Sequence, residues 1–228
     1  ALGDLKKVSD SWGKTVSRWK EEDRARLELE SLGFSPRRIL KAIRSAMGDR
    51  ALVTTDVGQH QMWAAQHFEC CGPRSFITSG GMGTMGFGLP AAIGAAFAAP
   101  DRPLACLTGD GSFLMNIQEL DTCARYGIPV KIFLFNNGSL GMVRQWQELF
   151  YKERYAHTVT DGLVDFARVA EAFGVRGTRV SSEQEVDGAI EGALAADGPA
   201  LVEFRIAMEE KVFPMIPPGG GMDEMIEG

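Results

Sequence analysis

Four short apolar runs constrain the fold of this chain more than any other feature: ALVTT (51–55), LACLT (104–108), VKIFLF (130–135) and ALVEFRI (200–206). Each is too continuous for a strand with one wet face, so each predicts a strand buried on both sides, as in a parallel sheet covered by helices. Helical periodicities fall between the runs. Phe113, Ile117, Leu120 and Ala124 share a face over 112–126, and Phe166, Ala170 and Phe173 share one over 163–173. A third helix is expected after Ser181, which with Gln184 reads as a capping box. Strands alternating with helices predict an α/β fold, a doubly wound, mostly parallel sheet with helices on both faces.

The N-terminal stretch reads differently. Residues 5–30 carry many charges around a sparse stripe of Leu5, Val8, Trp12, Val16 and Trp19, spaced by three or four, which predicts a linker helix and not a core element. Ser35 and Pro36 then form an N-cap and a first helical residue, Ile39, Leu40, Ile43 and Met47 give one apolar face, and Gly48 closes the helix. Residues 1–33 are thus expected to be a linker helix from a preceding domain that is absent here, and residues 34–228 one domain. A start at Ala1, inside a helical pattern and without Met, fits a piece of something longer. PPGGG at 217–221 marks a C-terminal turn.

Composition narrows the class. A chain of 228 residues, 45% of them hydrophobic, can bury one sizeable core. A net charge of −6 with scattered Lys and Arg leaves no basic stripe, so nucleic acid is not an expected partner. No apolar run approaches the roughly 20 residues of a membrane span, and no signal-peptide pattern is visible, so no membrane is expected and the localisation is read as cytoplasmic. Cys70, Cys71, Cys106 and Cys123 form no C-x-x-C pair and read as reduced structural thiols.

Two of the apolar runs end in residues that a strand does not need. LACLT leads into Gly109-Asp110-Gly111 and VKIFLF into Asn136-Asn137, with the 24 residues 112–135 between the motifs. That spacing is one β-α-β unit, and ligands of open parallel sheets bind outside the carboxyl ends of strands. A carboxylate from Asp110 and an amide oxygen from Asn137 would converge there as hard ligands for a Mg2+ that also grips phosphate oxygens. Gly111 and Ser112 would open the next helix, whose free N–H groups favour an anion. Taken singly, Asp110 reads as a helix cap and Asn136-Asn137-Gly138 as a turn. Both together, at adjacent strand ends, favour a metal-bridged diphosphate site. The competing dinucleotide pattern, Gly81-x-Gly83-x-x-Gly86, lacks its context, because Asp101 precedes the next strand where a ribose-binding carboxylate should end one.

Gly-Asp-Gly followed at this distance by Asn-Asn resembles the signature of thiamine-diphosphate enzymes. With TSGGMGTMGFGLPAAIGAAFA, DVGQHQMWAAQHF and GMVRQWQELFY in the same chain, the stretch from about residue 35 to the C-terminus resembles the catalytic subunit of acetohydroxyacid synthase (acetolactate synthase). The resemblance implies the thiamine-diphosphate-binding fold and a transferase that decarboxylates pyruvate and condenses the two-carbon unit with a second 2-keto acid, pyruvate or 2-ketobutyrate, in branched-chain amino-acid biosynthesis. It implies Mg2+ ligation by Asp110, Asn137 and the backbone carbonyl of Ser139, and diphosphate contacts from Gln59, His60, Gly111 and Ser112. Met85 would support the bent cofactor, the Gly81 to Gly83 backbone would approach its aminopyrimidine, and Met142 and Trp146 would stand over the reacting carbon and the substrate channel. Met142, Trp146 and Phe150 also fit a core-packing stripe, and Phe150 is assigned to the core.

In the family, an activating glutamate comes from a separate domain of a neighbouring chain and flavin is associated with a central domain. Neither domain has a counterpart in these residues. The isolated chain is therefore expected to be inactive, FAD to occur only in the full-length enzyme, and the partners to be a second copy meeting the cofactor face as a homodimer and a regulatory subunit. The runner-up readings are another thiamine-diphosphate enzyme (a 2-keto acid decarboxylase, carboligase or pyruvate oxidase) and a noncatalytic module that kept the fold.

Overall fold

All four apolar runs lie inside one sheet of the computed structural model, which describes residues 2–29, 33–160 and 163–227. They become β1 (Leu52–Thr55), β3 (Leu104–Gly109), β4 (Lys131–Asn136) and β6 (Ala200–Arg205), and every one of their residues but Arg205 is buried. Two further strands complete the sheet, β2 (Phe76–Thr78) and β5 (Arg176–Val180), in the order β2-β1-β3-β4-β6-β5 with every pairing parallel. The predicted doubly wound sheet is therefore present, and parallel throughout the described strands.

Alternation along the strands feeds two separate apolar layers. Val53, Leu107, Phe133 and Phe204 pack with α2 (Pro36–Met47), α3 (Gln59–His67) and α9 (Val186–Leu194). Leu52, Cys106, Ile132 and Leu201 pack on the other face with α4 (Gly88–Ala98), α6 (Glu119–Arg125) and α8 (Phe166–Ala172). The start of α2 follows the sequence: the Ser35 hydroxyl accepts from the Arg38 N–H at 3.3 Å, Pro36 opens the helix, and Gly48 ends it at φ +71°.

Three local expectations are corrected. The stretch 112–126 is not one helix: α5 (Asp110–Phe113) is followed by a 3-10 turn at Leu114–Asn116 and only then by α6. Asn116 accounts for part of the break, since its side chain donates to the Gly86 carbonyl at 2.6 Å and so ties this turn to another loop. The capping box sits one residue later than predicted, at Ser182 with Glu185, whose carboxylate accepts from the Ser182 N–H at 3.0 Å and the Ser182 hydroxyl at 2.9 Å. Phe150 is half-buried, in edge-to-face contact with Trp146 at 6.3 Å, and belongs to neither apolar layer.

Residues Ala1–Gly33 form a unit of their own, apart from Phe34–Gly228. Within it, α1 (Leu2–Leu29) is the expected helix, and Trp12 and Trp19 touch edge to face at 5.5 Å while both stay exposed. The side chains of Leu5 and Val8 lie outside the described residues. Residues 217–220 form the predicted turn, with Gly220 N–H donating to the Pro217 carbonyl at 2.9 Å. Among the described residues no helix is long and apolar enough to cross a membrane.

Candidate functional site

The strand order reverses between β1 and β3: the chain leaves β1 for β2 on one side, and leaves β3 for β4 on the other. Loops diverging from such a point leave a crevice at the carboxyl edge of the sheet. Register brings both motifs there, since Thr108 pairs with Leu134 and Gly109 with Phe135, so Asp110 and the Asn136-Asn137 pair emerge side by side. The Asp110 carboxylate lies beside the Gly138 N–H and accepts from the Thr160 hydroxyl at 3.4 Å.

Above these strand ends lies a cleft of about 500 Å3. Its walls include Gln59, His60, Met85, Asp110, Asn137 and Met142, together with Gly111, Ser112 and the Ser139 turn. Nine residues named from the sequence thus meet in one place. Gly81, Gly83 and Trp146 do not line it. Gly81 and Gly83 occupy an exposed turn after β2, where Gly83 N–H donates to the Ser79 carbonyl at 3.1 Å. Trp146 is 42% exposed and faces a neighbouring, more open cavity of about 790 Å3 with Gln147, Tyr151 and Arg154, and Val143 borders both spaces.

Gln59 and His60 open the nine-residue α3 and are buried. The Gln59 amide is fully engaged: Nε2 donates to Gln145 Oε1 and to the Glu210 carbonyl, each at 2.9 Å, and Oε1 accepts from Asn137 Nδ2 at 3.0 Å. That last bond turns Asn137 Oδ1 toward the Ser139 N–H at 3.1 Å and leaves it a second lone pair. Gln145, on α7 (Gly141–Phe150), carries the network on by a pair of 2.9 Å bonds with the main chain of Val212. The Ser112 hydroxyl donates to the Val57 carbonyl at 2.6 Å.

Burial sets the electrostatics. It pushes the Asp110 carboxyl up to about 6, against the opposing pull of the Gly111, Asp110 and Gly138 N–H groups and the Thr160 hydroxyl. It pushes His60 down to about 3, opposed only by the backbone carbonyl of Asp56, so the imidazole is neutral near pH 7. His60 Nε2 is buried without a hydrogen-bond partner among the described residues, an arrangement that native interiors rarely tolerate unless a ligand uses it. The Gly109 backbone approaches that ring so closely that a Cβ there would stand 2.7 Å from Nδ1.

A divalent cation with diphosphate fits this donor set. Among the described residues no Lys or Arg lines the cleft, and no three His, Cys, Asp or Glu side chains cluster to hold a metal by themselves. Mg2+ suits such a place, because it is commonly held by one or two carboxylates plus waters and phosphate oxygens. The four-residue α5 has too little length for much of a helix dipole, so an anion would meet individual N–H groups, which modifies the expectation drawn from Gly111 and Ser112. Sequence reasoning passed over Asp56 and Gln145, both 1% exposed and both holding site residues in place. Asp56 directly follows the run ALVTT, and that position was the available signal.

Comparison with known proteins agrees with the geometry. Residues 56–204 match the family described as "Thiamine pyrophosphate enzyme, C-terminal TPP binding domain". The chain is 49% identical over 189 residues to the acetolactate synthase isozyme 2 large subunit of Escherichia coli (strain K12), covering 83% of this chain and 34% of that one. It is 45% identical over 217 residues to the acetolactate synthase large subunit of Parasynechococcus marenigrum (strain WH8102), covering 95% and 35%. To the probable acetolactate synthase large subunit of Methanococcus aeolicus it is 41% identical over 221 residues, covering 95% and 37%. The chain spans about a third of the length of these curated relatives.

Proposed function

This chain belongs to the thiamine pyrophosphate enzymes, and from that premise we propose that it is the cofactor-binding part of an acetolactate synthase large subunit, acting in the cytoplasm in branched-chain amino-acid biosynthesis. The observation that carries the reading is a crevice at the β1/β3 switch point where Asp110 and Asn137 stand side by side with no cationic side chain around them. A diphosphate entering such a place needs a metal ion to offset its charge. Asp110, Asn137 and the Ser139 carbonyl would hold Mg2+, and Gly111, Ser112 and Gln59 would meet the diphosphate through their main chain. With its other ring nitrogen facing the Asp56 carbonyl, His60 would donate to it from Nε2 as the imidazolium, a state that an adjacent anion favours. Met85 and Met142, both lining the cleft, would pack against the cofactor. The bound cofactor supplies an electron sink for decarboxylation of pyruvate and transfer of the two-carbon unit to a second 2-keto acid. The protein's share is to hold it, shape it and keep water out.

A thermal-shift titration tests the core of this reading. The unfolding midpoint should rise by several degrees when thiamine diphosphate and Mg2+ are both present, and far less with either alone or in EDTA. An equal rise in EDTA would remove the metal from the site, and no rise at all would favour the noncatalytic module.

The complete synthase would add what these residues do not provide: the glutamate that activates the aminopyrimidine, a flavin site and, as partners, a second copy and a regulatory subunit. The purified 228-residue chain is accordingly expected to make no acetolactate from pyruvate, because among the described residues lining its cleft only Asp110 and neutral His60 can exchange a proton. Measurable turnover by the chain alone would contradict this.

Trp146 separates a synthase from a simple decarboxylase or oxidase. Its exposed indole borders the cavity adjoining the cleft, where it can serve as a wall for the extra methyl of 2-ketobutyrate. Burying one methyl is worth about 1 kcal/mol, or roughly a five- to tenfold preference over pyruvate as second substrate. In the complete enzyme Trp146→Leu should erase most of that preference and spare the first decarboxylation. Competition between the two keto acids reads this out, and an unaltered product ratio would return Trp146 to a structural role.

A further inference from the structure

Asp56 is 1% exposed and directly follows the end of β1. Its own N–H donates to the Leu107 carbonyl at 2.9 Å, which fixes it to β3. Its carboxylate accepts three backbone N–H bonds: Oδ1 from Val57 at 2.8 Å and from Gly86 at 2.8 Å, and Oδ2 from Gly88 at 3.0 Å. Gly86 directly follows Met85, and Gly88 begins α4, which has no side-chain cap from its own preceding residue. The opposite side of the same segment is tethered by Asn116, through its 2.6 Å bond to the Gly86 carbonyl. The fit leaves no slack. Gly86 lies at φ +89°, and a Cβ on Gly88 would stand 2.8 Å from the Asp56 nitrogen.

The main chain around Asp56 reaches the other walls of the cleft. Its carbonyl acts on the His60 ring, whose second nitrogen is the unpartnered one, and the next carbonyl, that of Val57, accepts the Ser112 hydroxyl. An ionised acceptor taking several N–H bonds forms stronger links than a neutral one. Asp56 thus holds the segment behind Met85 by its side chain and meets His60 by its carbonyl, while its neighbour Val57 holds Ser112.

Resting on the thiamine diphosphate reading, we propose that Asp56 is a positioning residue of this site: its carboxylate sets Met85 in the cleft without touching the ligand. Asp56→Asn is the informative change, because an amide has one oxygen and cannot accept from Gly86 and Gly88 on opposite sides. In the variant, thiamine diphosphate affinity at saturating Mg2+, measured by calorimetry on the 228-residue chain, should weaken about tenfold or more. The 13C methyl resonance of Met85, assigned with Met85→Leu, should shift and report greater mobility even with no cofactor added. A folded variant with an unchanged Met85 resonance, or with unchanged affinity, overturns the proposal.

The methyl measurement also keeps this inference distinct from the reading beneath it. If the wild-type chain bound no thiamine diphosphate, that reading would fall, while the Met85 resonance would still decide whether Asp56 holds the segment. If Asp56→Asn did not fold, hydrogen exchange on the wild-type protein would decide the tether instead. The Gly86 and Gly88 amides should exchange much more slowly than those of exposed Gly81 and Met82, and equally fast exchange overturns it.

Discussion

Asp110→Ala is expected to abolish the Mg2+-dependent part of thiamine diphosphate binding and to make the unliganded chain gain stability relative to the wild type as the pH rises from 4 to 8. The first effect follows from the donor set, because Asp110 is the only carboxylate among the described residues that line the cleft, and without it the cation and diphosphate lose their link to the protein. The second follows from burial. The Asp110 carboxyl is raised from 3.8 to about 6, so the folded protein holds this proton more tightly than the unfolded chain does. Ionisation therefore costs folding stability, fully above about pH 6, and the cost fades as the pH falls through that value toward 4. Its size is at most about 3 kcal/mol, at 1.36 kcal/mol per unit. Urea titrations at pH 8 and pH 4 check the sign: the stability of Asp110→Ala relative to the wild type should be greater at the higher pH than at the lower. Unchanged cofactor affinity in the variant would remove Asp110 from the site.

Gly141→Ala should be the most damaging single methyl in the site. Adding a Cβ at the start of a helix ordinarily stabilises slightly, by lowering the entropy of the unfolded chain. Here the Cβ would stand 1.9 Å from Gln59 Oε1 and 2.7 Å from Asn137 Nδ2. Gln59 cannot swing aside freely, since its Nε2 is held by Gln145 and by the Glu210 carbonyl. Expelling it would break its bonds to Asn137 and to Gln145, for a loss of about 2–6 kcal/mol if each costs 1–3. Gly94→Ala provides the contrast, because that position on α4 has open space around its Cβ and should gain about 0.5–1 kcal/mol. Equal effects of the two substitutions on the urea midpoint would show that the Gln59 network is not under the constraint described.

What could be read from the sequence divides along physical lines. The central strands were legible because burial on both faces forces continuous apolar runs, as in LACLT and VKIFLF. The edge strands were not: Phe76–Thr78 has only three half-buried residues, and Arg176–Val180 carries two Arg and a Gly where solvent reaches the sheet. Gly177 there reads as a strand breaker, yet it is required by packing, since a Cβ would stand 2.1 Å from the Ala167 carbonyl oxygen. In the site, Asp110 and Asn137 were visible through the length of one β-α-β unit. Gln145 was not, because a polar residue between Met142 and Trp146 looks like the wet side of an amphipathic helix, whereas here it is buried and Trp146 is exposed. Helical periodicity reports which residues share a face. It does not report that the buried face is polar.

The reversal of strand order between β1 and β3 also affects how this protein persists in a cell. The cleft walls belong to residues 57–60, 63, 85, 109–112, 135, 137 and 139–143, stretches that the chain joins only by way of the sheet and its helices. All four cysteines are free, so no covalent bridge ties those stretches together. A ligand that touches all of them acts as a removable cross-link, and its binding free energy becomes folding free energy, about 4 kcal/mol at a thousandfold excess over Kd. On the function proposed above, the amount of folded protein would follow the supply of cofactor, and scarcity would be felt as lost protein through unfolding and proteolysis as well as through idle sites.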